Sequence, residues 1–138
     1  MKLLVTTALL ALAAPLAAQA QSVPPTIQTA LADSARPAAD KERDATRHPG
    51  ELLAFAGVKP GDKVADFIMG GGYFTRILAK AVGDKGHVYA YQPAEFIQFR
   101  AAYGDEQKAA VAGYANVTPL SDSLGVTCRR TPRQGVWG

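Results

Sequence analysis

Between Lys63 and Ala112 the chain alternates between two hydrophobic periods. Lys63 to Ile68 is a short apolar run around Asp66 and reads as a strand. From Tyr73 to Val82 the apolar positions Phe74, Ile77, Leu78 and Ala81 recur at helical spacing. Gly83-Asp84-Lys85-Gly86 turns the chain back, and His87 to Tyr91 reads as a second strand. Pro93 opens another helical stretch, expected to break near Gly104 and to resume from Asp105 to Ala112. Asn116 to Leu120 supplies a third short strand. This β-α-β-α-β order predicts parallel strands with right-handed crossovers. The expected fold class is therefore α/β: an incomplete doubly wound (Rossmann-like) parallel sheet of about three strands with flanking helices.

Upstream the pattern is weaker. Ile27 to Ala32 is a short helical candidate set between Pro24-Pro25 and Pro37. Asp40 to Arg47 is charged and helix-compatible, with Asp40 as the expected N-cap and Arg43 and Arg47 one turn apart. Pro49 starts a further helix, Glu51 to Phe55, with Gly57 as its stop. Lys59-Pro60-Gly61-Asp62 has the residue order of a type II turn. At the start, Lys2, the apolar run Leu3 to Leu16 and the small-x-small triplet Ala18-Gln19-Ala20 form the pattern of a secretory signal peptide, cleaved after Ala20. The run is short for a membrane span, so no stable membrane insertion is expected after cleavage. The expected location is periplasmic or secreted.

Residues 1–20 are thus expected to be a signal peptide, 21–37 a leader arm, 38–125 the α/β domain, and 126–138 an irregular tail. From Gly125 onward neither period persists. An ordinary tail is one reading, and a truncation or shifted frame near Gly125 is the other. At 138 residues the chain holds at most one domain. The single cysteine, Cys128, forms no intrachain disulfide. His48 and His87 are far apart in sequence and belong to no ligand-spaced cluster, so no metal is expected. The formal charge of +3 is carried by the ends: Lys2 leaves with the signal peptide, and Arg129, Arg130 and Arg133 crowd the last residues. The body is nearly neutral, which argues against nucleic acid as a partner.

The chemistry concentrates in Val64-Ala65-Asp66-Phe67-Ile68-Met69-Gly70-Gly71-Gly72-Tyr73-Phe74-Thr75. A strand ends near an acid, passes through three glycines and enters a helix. Such a loop lets a ligand lie against bare backbone N–H groups at the positive end of a helix dipole. A nicotinamide fingerprint started at Gly70 needs glycine at Thr75 and an acid near Gln92, and has neither.

With Leu52 to Asp66, the glycine loop, and Gly86-His87-Val88-Tyr89-Ala90-Tyr91, the chain resembles the class I S-adenosylmethionine-dependent methyltransferases. More narrowly, it is similar to a group of exported bacterial predicted methyltransferases, over roughly residues 36–125. That family follows its first-strand acid with glycines two, four and six residues later. Here the acid is Asp66 and the three positions are Ile68, Gly70 and Gly72. The resemblance implies S-adenosylmethionine as cofactor. Asp66 then faces its ammonium group, and Gly70 and Gly72 allow its close approach, while Gly71 is turn chemistry. Gln92 stands where the family places the ribose-binding acid, with Glu95 a turn later as a substitute. Asp122 resembles the acid that meets the adenine amino group. The implied activity is methyl transfer to a small-molecule acceptor. No fourth strand is recognisable, so no catalytic residue carries over. The alternative is a non-catalytic, methyltransferase-like exported binding or interaction protein. Three strands also leave an unpaired sheet edge, from which self-association is expected.

Overall fold

The computed structural model describes residues 22–127. Four short helices come first: α1 (Pro25–Leu31), α2 (Ala38–Glu42), α3 (Asp44–Arg47) and α4 (Pro49–Phe55). Then follow β1 (Lys63–Phe67), α5 (Tyr73–Val82), β2 (His87–Tyr91), α6 (Ala94–Phe99), α7 (Ala102–Val111), β3 (Val117–Leu120) and α8 (Leu124–Thr127). The strands are parallel in the order β1-β2-β3, with Val64, Val88 and Val117 in register. Three parallel strands flanked by helices give the Rossmann-like α/β arrangement expected from the alternating periods.

Val88, Ala90 and Val117 on the sheet form one core with Ile77, Leu78, Ala81 and Val82 of α5 and with Ala110 and Val111 of α7. The segment read as a leader arm contains α1, whose Ile27 and Ala30 are fully buried in the same core. The register sets a different group on the other face: Ala65, Tyr89 and Thr118, then Phe67, Tyr91 and Leu120. There Phe67 stacks on Tyr91 at 5.2 Å between ring centroids yet stays 61% exposed.

Two helical stretches break where the sequence did not suggest. Asp40 is not an N-cap: Pro37 holds that position, and its carbonyl accepts the Asp40 N–H at 3.0 Å. The Asp40 side chain is instead buried against Arg76 of α5. The charged segment 40–47 is also two short helices meeting at Arg43. The second break falls at Arg100, which is extended (φ −143°, ψ 102°), while Gly104 lies inside α7. Interior glycine costs a helix only about 1 kcal/mol. Buried Gln107 in α7 offsets this by donating to the carbonyls of Ala90 (3.0 Å) and Leu120 (2.9 Å). At the far end α8 crosses Gly125, its first N–H (Leu124) donating to the Glu95 carboxylate at 3.2 Å. The proposed signal peptide, and the tail from Cys128 with Arg129, Arg130 and Arg133, lie outside the described residues.

Candidate functional site

The glycine loop begins one residue after β1. Met69 N–H still donates to the Tyr91 carbonyl at 3.0 Å, so the pairing with β2 continues past the strand. Between them Ile68 is forced to φ +63°, a left-handed conformation that a β-branched residue rarely adopts. Gly70 (φ +54°) and Gly72 (φ +79°) take the same region without steric cost. The family's three glycine positions are thus all left-handed here, including the one that carries isoleucine.

The loop is fastened by Gln92, whose side-chain oxygen accepts the Gly70 N–H at 3.0 Å while its own backbone N–H donates to Leu120. Gln92 is 1% exposed, so its amide braces the loop against the ends of β2 and β3. Asp66 accepts the Thr75 hydroxyl at 2.6 Å. Burial pushes the Asp66 carboxyl above the ordinary carboxylate range, and the Thr75 hydroxyl and backbone N–H partly oppose that. A cavity of about 440 Å³ opens beside this acid, lined by Asp66, Ile68, Gly70, Gly71, Tyr73 and Phe74 from the loop region. That volume falls in the range of small-molecule sites.

The roof of the cavity comes from α2 and α3. Arg36, 3% exposed, donates to both carboxylate oxygens of Asp44 (2.7 and 2.9 Å) and to the Leu31 carbonyl. This guanidinium holds the Asp44 carboxyl below its usual range. Tyr73 at the start of α5 donates its hydroxyl to Asp44 at 2.6 Å. Burial and that carboxylate together push the Tyr73 pKa up to about 12, so the phenol stays a neutral donor. Arg76 donates through Nε to Asp40 at 2.9 Å. These pairs bind the charged segment 40–47 to α5, and Asp40, Arg43 and Arg47 complete the cavity wall.

Of the residues singled out in the sequence, Asp66 and Gly70 line this cavity together. Gly71, read as turn chemistry, lines it as well, and a Cβ added there meets nothing within 4 Å. Gly72 points elsewhere: a Cβ there falls 2.5 Å from the Ala110 Cβ, so glycine is what lets α5 approach α7. Asp122 follows β3, and its carbonyl accepts the Tyr91 hydroxyl (2.8 Å) and the Ala94 N–H (3.3 Å). Thr75 and the Arg36–Asp44–Tyr73 and Asp40–Arg76 groups were not recognised from sequence. Thr75 carried one signal, a hydroxyl in the first turn of the loop helix. The ionic groups join residues 8 to 36 positions apart and carried none beyond alternating charge.

A larger cavity of about 530 Å³, lined in part by Lys80, Gly83, His87 and Asn116, lies at the opposite, amino-terminal ends of the strands. Ligands of open parallel sheets bind outside the carboxyl ends, which favours the glycine loop. Among the described residues no group of three or more His, Cys, Asp or Glu could hold a metal ion, and no helix is long and apolar enough to cross a membrane.

An open parallel sheet with flanking helices, and a glycine loop after its first strand, defines a Rossmann-like α/β domain. Among known proteins, no family model matches the chain. A protein-L-isoaspartate O-methyltransferase of Ignicoccus hospitalis is 35% identical over 69 residues, 50% of this chain and 31% of that protein. The chain therefore spans less than a third of the length of this curated relative. Among solved structures, a SAM-dependent methyltransferase from Aquifex aeolicus superposes with a TM-score of 0.42 and 34% identity, over 53% of this chain and 37% of that one. A SAM-dependent O-methyltransferase from Thermotoga maritima gives a TM-score of 0.46 and 23% identity, over 60% and 33%.

Proposed function

We propose that this chain binds S-adenosylmethionine in the cavity at its glycine loop and serves methyl transfer to a small-molecule acceptor. One observation carries the reading: a half-buried carboxyl, Asp66, and the side-chain-free backbone of Gly70 and Gly71 meet at a cavity on the carboxyl side of a parallel sheet. The 69-residue segment shared with a methyltransferase supports it. Asp66 suits the cofactor's ammonium group, since a cation beside a carboxyl raised by burial favours its ionised form. Gly70 and Gly71 offer an approach free of side chains. Gln92 acts on the loop through the Gly70 N–H, and Asp122, just after β3, is the acid assigned to the adenine amino group in this reading. When bound, the cofactor supplies a sulfonium methyl group. The chain's own residues hold and orient it, and Tyr73 and Phe74 shield one side from water. Export is part of the same proposal: mass spectrometry of the mature protein should find Gln21 at its N-terminus.

The test uses Gly71→Val. No left-handed strain and no neighbour oppose this side chain, so the fold should tolerate it while the cavity is obstructed. Titration calorimetry with S-adenosylhomocysteine should show a loss of about 1–3 kcal/mol, the range for overpacking. An unchanged affinity, with an unchanged melting temperature, means the ligand does not lie on this loop. Gly72→Val cannot serve, because its clash with Ala110 disturbs the α5–α7 contact whether or not a ligand binds.

A further inference from the structure

Three guanidinium groups surround the Tyr73 ring: Arg47 at 4.8 Å from its centroid, Arg43 at 5.3 Å and Arg36 at 5.7 Å. Arg36 is neutralised by its two-oxygen contact with Asp44. Arg76, at the back of the same wall, is neutralised by Asp40. Arg43 and Arg47 differ from both. They make no ion pair among the described residues, and their recorded partner is the ring itself. Both line the cavity at the glycine loop. Their spacing of four residues puts them on one side of the α2–α3 segment, and the Tyr73 ring holds them there. The wall and the layer behind it thus hold four guanidiniums against the two paired carboxylates of Asp40 and Asp44, and of the four only Arg43 and Arg47 line the cavity. The third acid, Asp66, has its carboxyl pushed above the ordinary range by burial and is the one carboxylate of the cavity outside these pairs. Two like charges ordered on one ring, with Asp40 and Asp44 already engaged, leave positive charge directed at the cavity.

We propose that Arg43 and Arg47 form a subsite for a carboxylate of the bound ligand. This deepens the reading given above and rests on it for the identity of the cavity. A planar guanidinium presents paired N–H donors that match a carboxylate's two oxygens. The carboxylate has two possible sources, the amino-acid end of the cofactor and an acidic acceptor.

The experiment compares the full chain with the double variant Arg43→Gln/Arg47→Gln by titration calorimetry. Neither side chain is buried or ion-paired, so the variant should stay folded, with its melting temperature lowered only by the loss of the two ring contacts. Three probes are used: S-adenosylhomocysteine, 5′-methylthioadenosine (the same nucleoside without an amino-acid end) and succinate. If the pair holds the cofactor's carboxylate, the variant binds S-adenosylhomocysteine about tenfold or more weakly and methylthioadenosine equally. If it holds an acceptor's carboxylate, both nucleosides bind as before and succinate binding falls by the same factor. Either result supports the subsite. The proposal is overturned if neither S-adenosylhomocysteine nor succinate loses affinity, including the case in which succinate does not bind the parent. Failure of the cofactor reading has a separate signature: neither nucleoside binds the parent. The succinate comparison then decides the subsite alone.

Discussion

Ile68 holds the least favourable backbone conformation at the site. Its φ of +63° places a β-branched side chain where an L-residue loses roughly 1–2 kcal/mol, and the side chain is 42% exposed, so little packing compensates. Ile68→Gly should stabilise the protein by about 1 kcal/mol after glycine's own entropic cost. Ile68→Ala keeps the strain and should not stabilise. Thermal unfolding of the two variants separates them; equal melting temperatures would refute the strain argument. Asp66 makes a pH-dependent claim. Unfolded, it ionises near the ordinary 3.8, whereas burial raises its native pKa, so the native state keeps the proton longer. Stability should therefore decline as pH rises from about 3.8 through the native value, and Asp66→Asn should remove that decline. Affinity for a ligand bearing an ammonium group should rise over the same window. Carboxyl chemical shifts recorded alongside calorimetry at several pH values check both slopes.

At the scale of elements, the contact between α5 and α7 depends on Gly72. Gly72→Ala should cost about 1–3 kcal/mol for crowding against Ala110, plus roughly 1–2 kcal/mol for a left-handed alanine. Adding Ala110→Gly should recover the crowding part and leave the backbone part, a non-additivity that denaturant titration of the four proteins measures. An Ala110→Gly background in which Gly72→Ala costs as much as before would show that the helices do not meet there. The same loop marks what was legible in the sequence. β2 and α5 have the boundaries expected, because α5 buries a stripe at helical spacing and β2 a short apolar run. The position of Asp66 and Gly70 at the loop after β1 was legible because strand end and glycine turn are local patterns. The α2–α3 break and the Arg100 break were not, since each is fixed by distant partners, Arg76 for Asp40 and the β2 and β3 carbonyls for Gln107. Gly72's role was hidden for the same reason. A glycine needed for its φ and one needed for a neighbour 38 positions away look alike in sequence.

At the scale of the whole molecule, the sheet order puts β1 at an edge, with β2 as its one neighbour among the described residues. Its residues alternate between exposed and half-buried, so no face of the strand is fully covered. Beside it lies a cavity of about 410 Å³, lined by Leu52, Leu53, Val58, Val64, Phe74 and Leu78 among others, with Leu52 48% exposed and Phe67 61% exposed. Unpaired backbone N–H and carbonyl groups beside apolar side chains are a template for another strand. Natural edges are blunted by charge, and β1 carries only Lys63 on its exposed face. We infer that the chain self-associates through β1, and sedimentation equilibrium should show a weight-average mass that rises with concentration. Ala65→Lys places a charge at the middle of that edge. Ala65 is exposed and lies outside the core cluster, so the substitution should lower the association constant while leaving the melting temperature of dilute protein nearly unchanged. An association constant unaffected by Ala65→Lys would move the contact elsewhere, with α6, where Phe99 is 89% exposed, the next surface to change. A mass that stays monomeric at all concentrations would show that the edge is protected in solution.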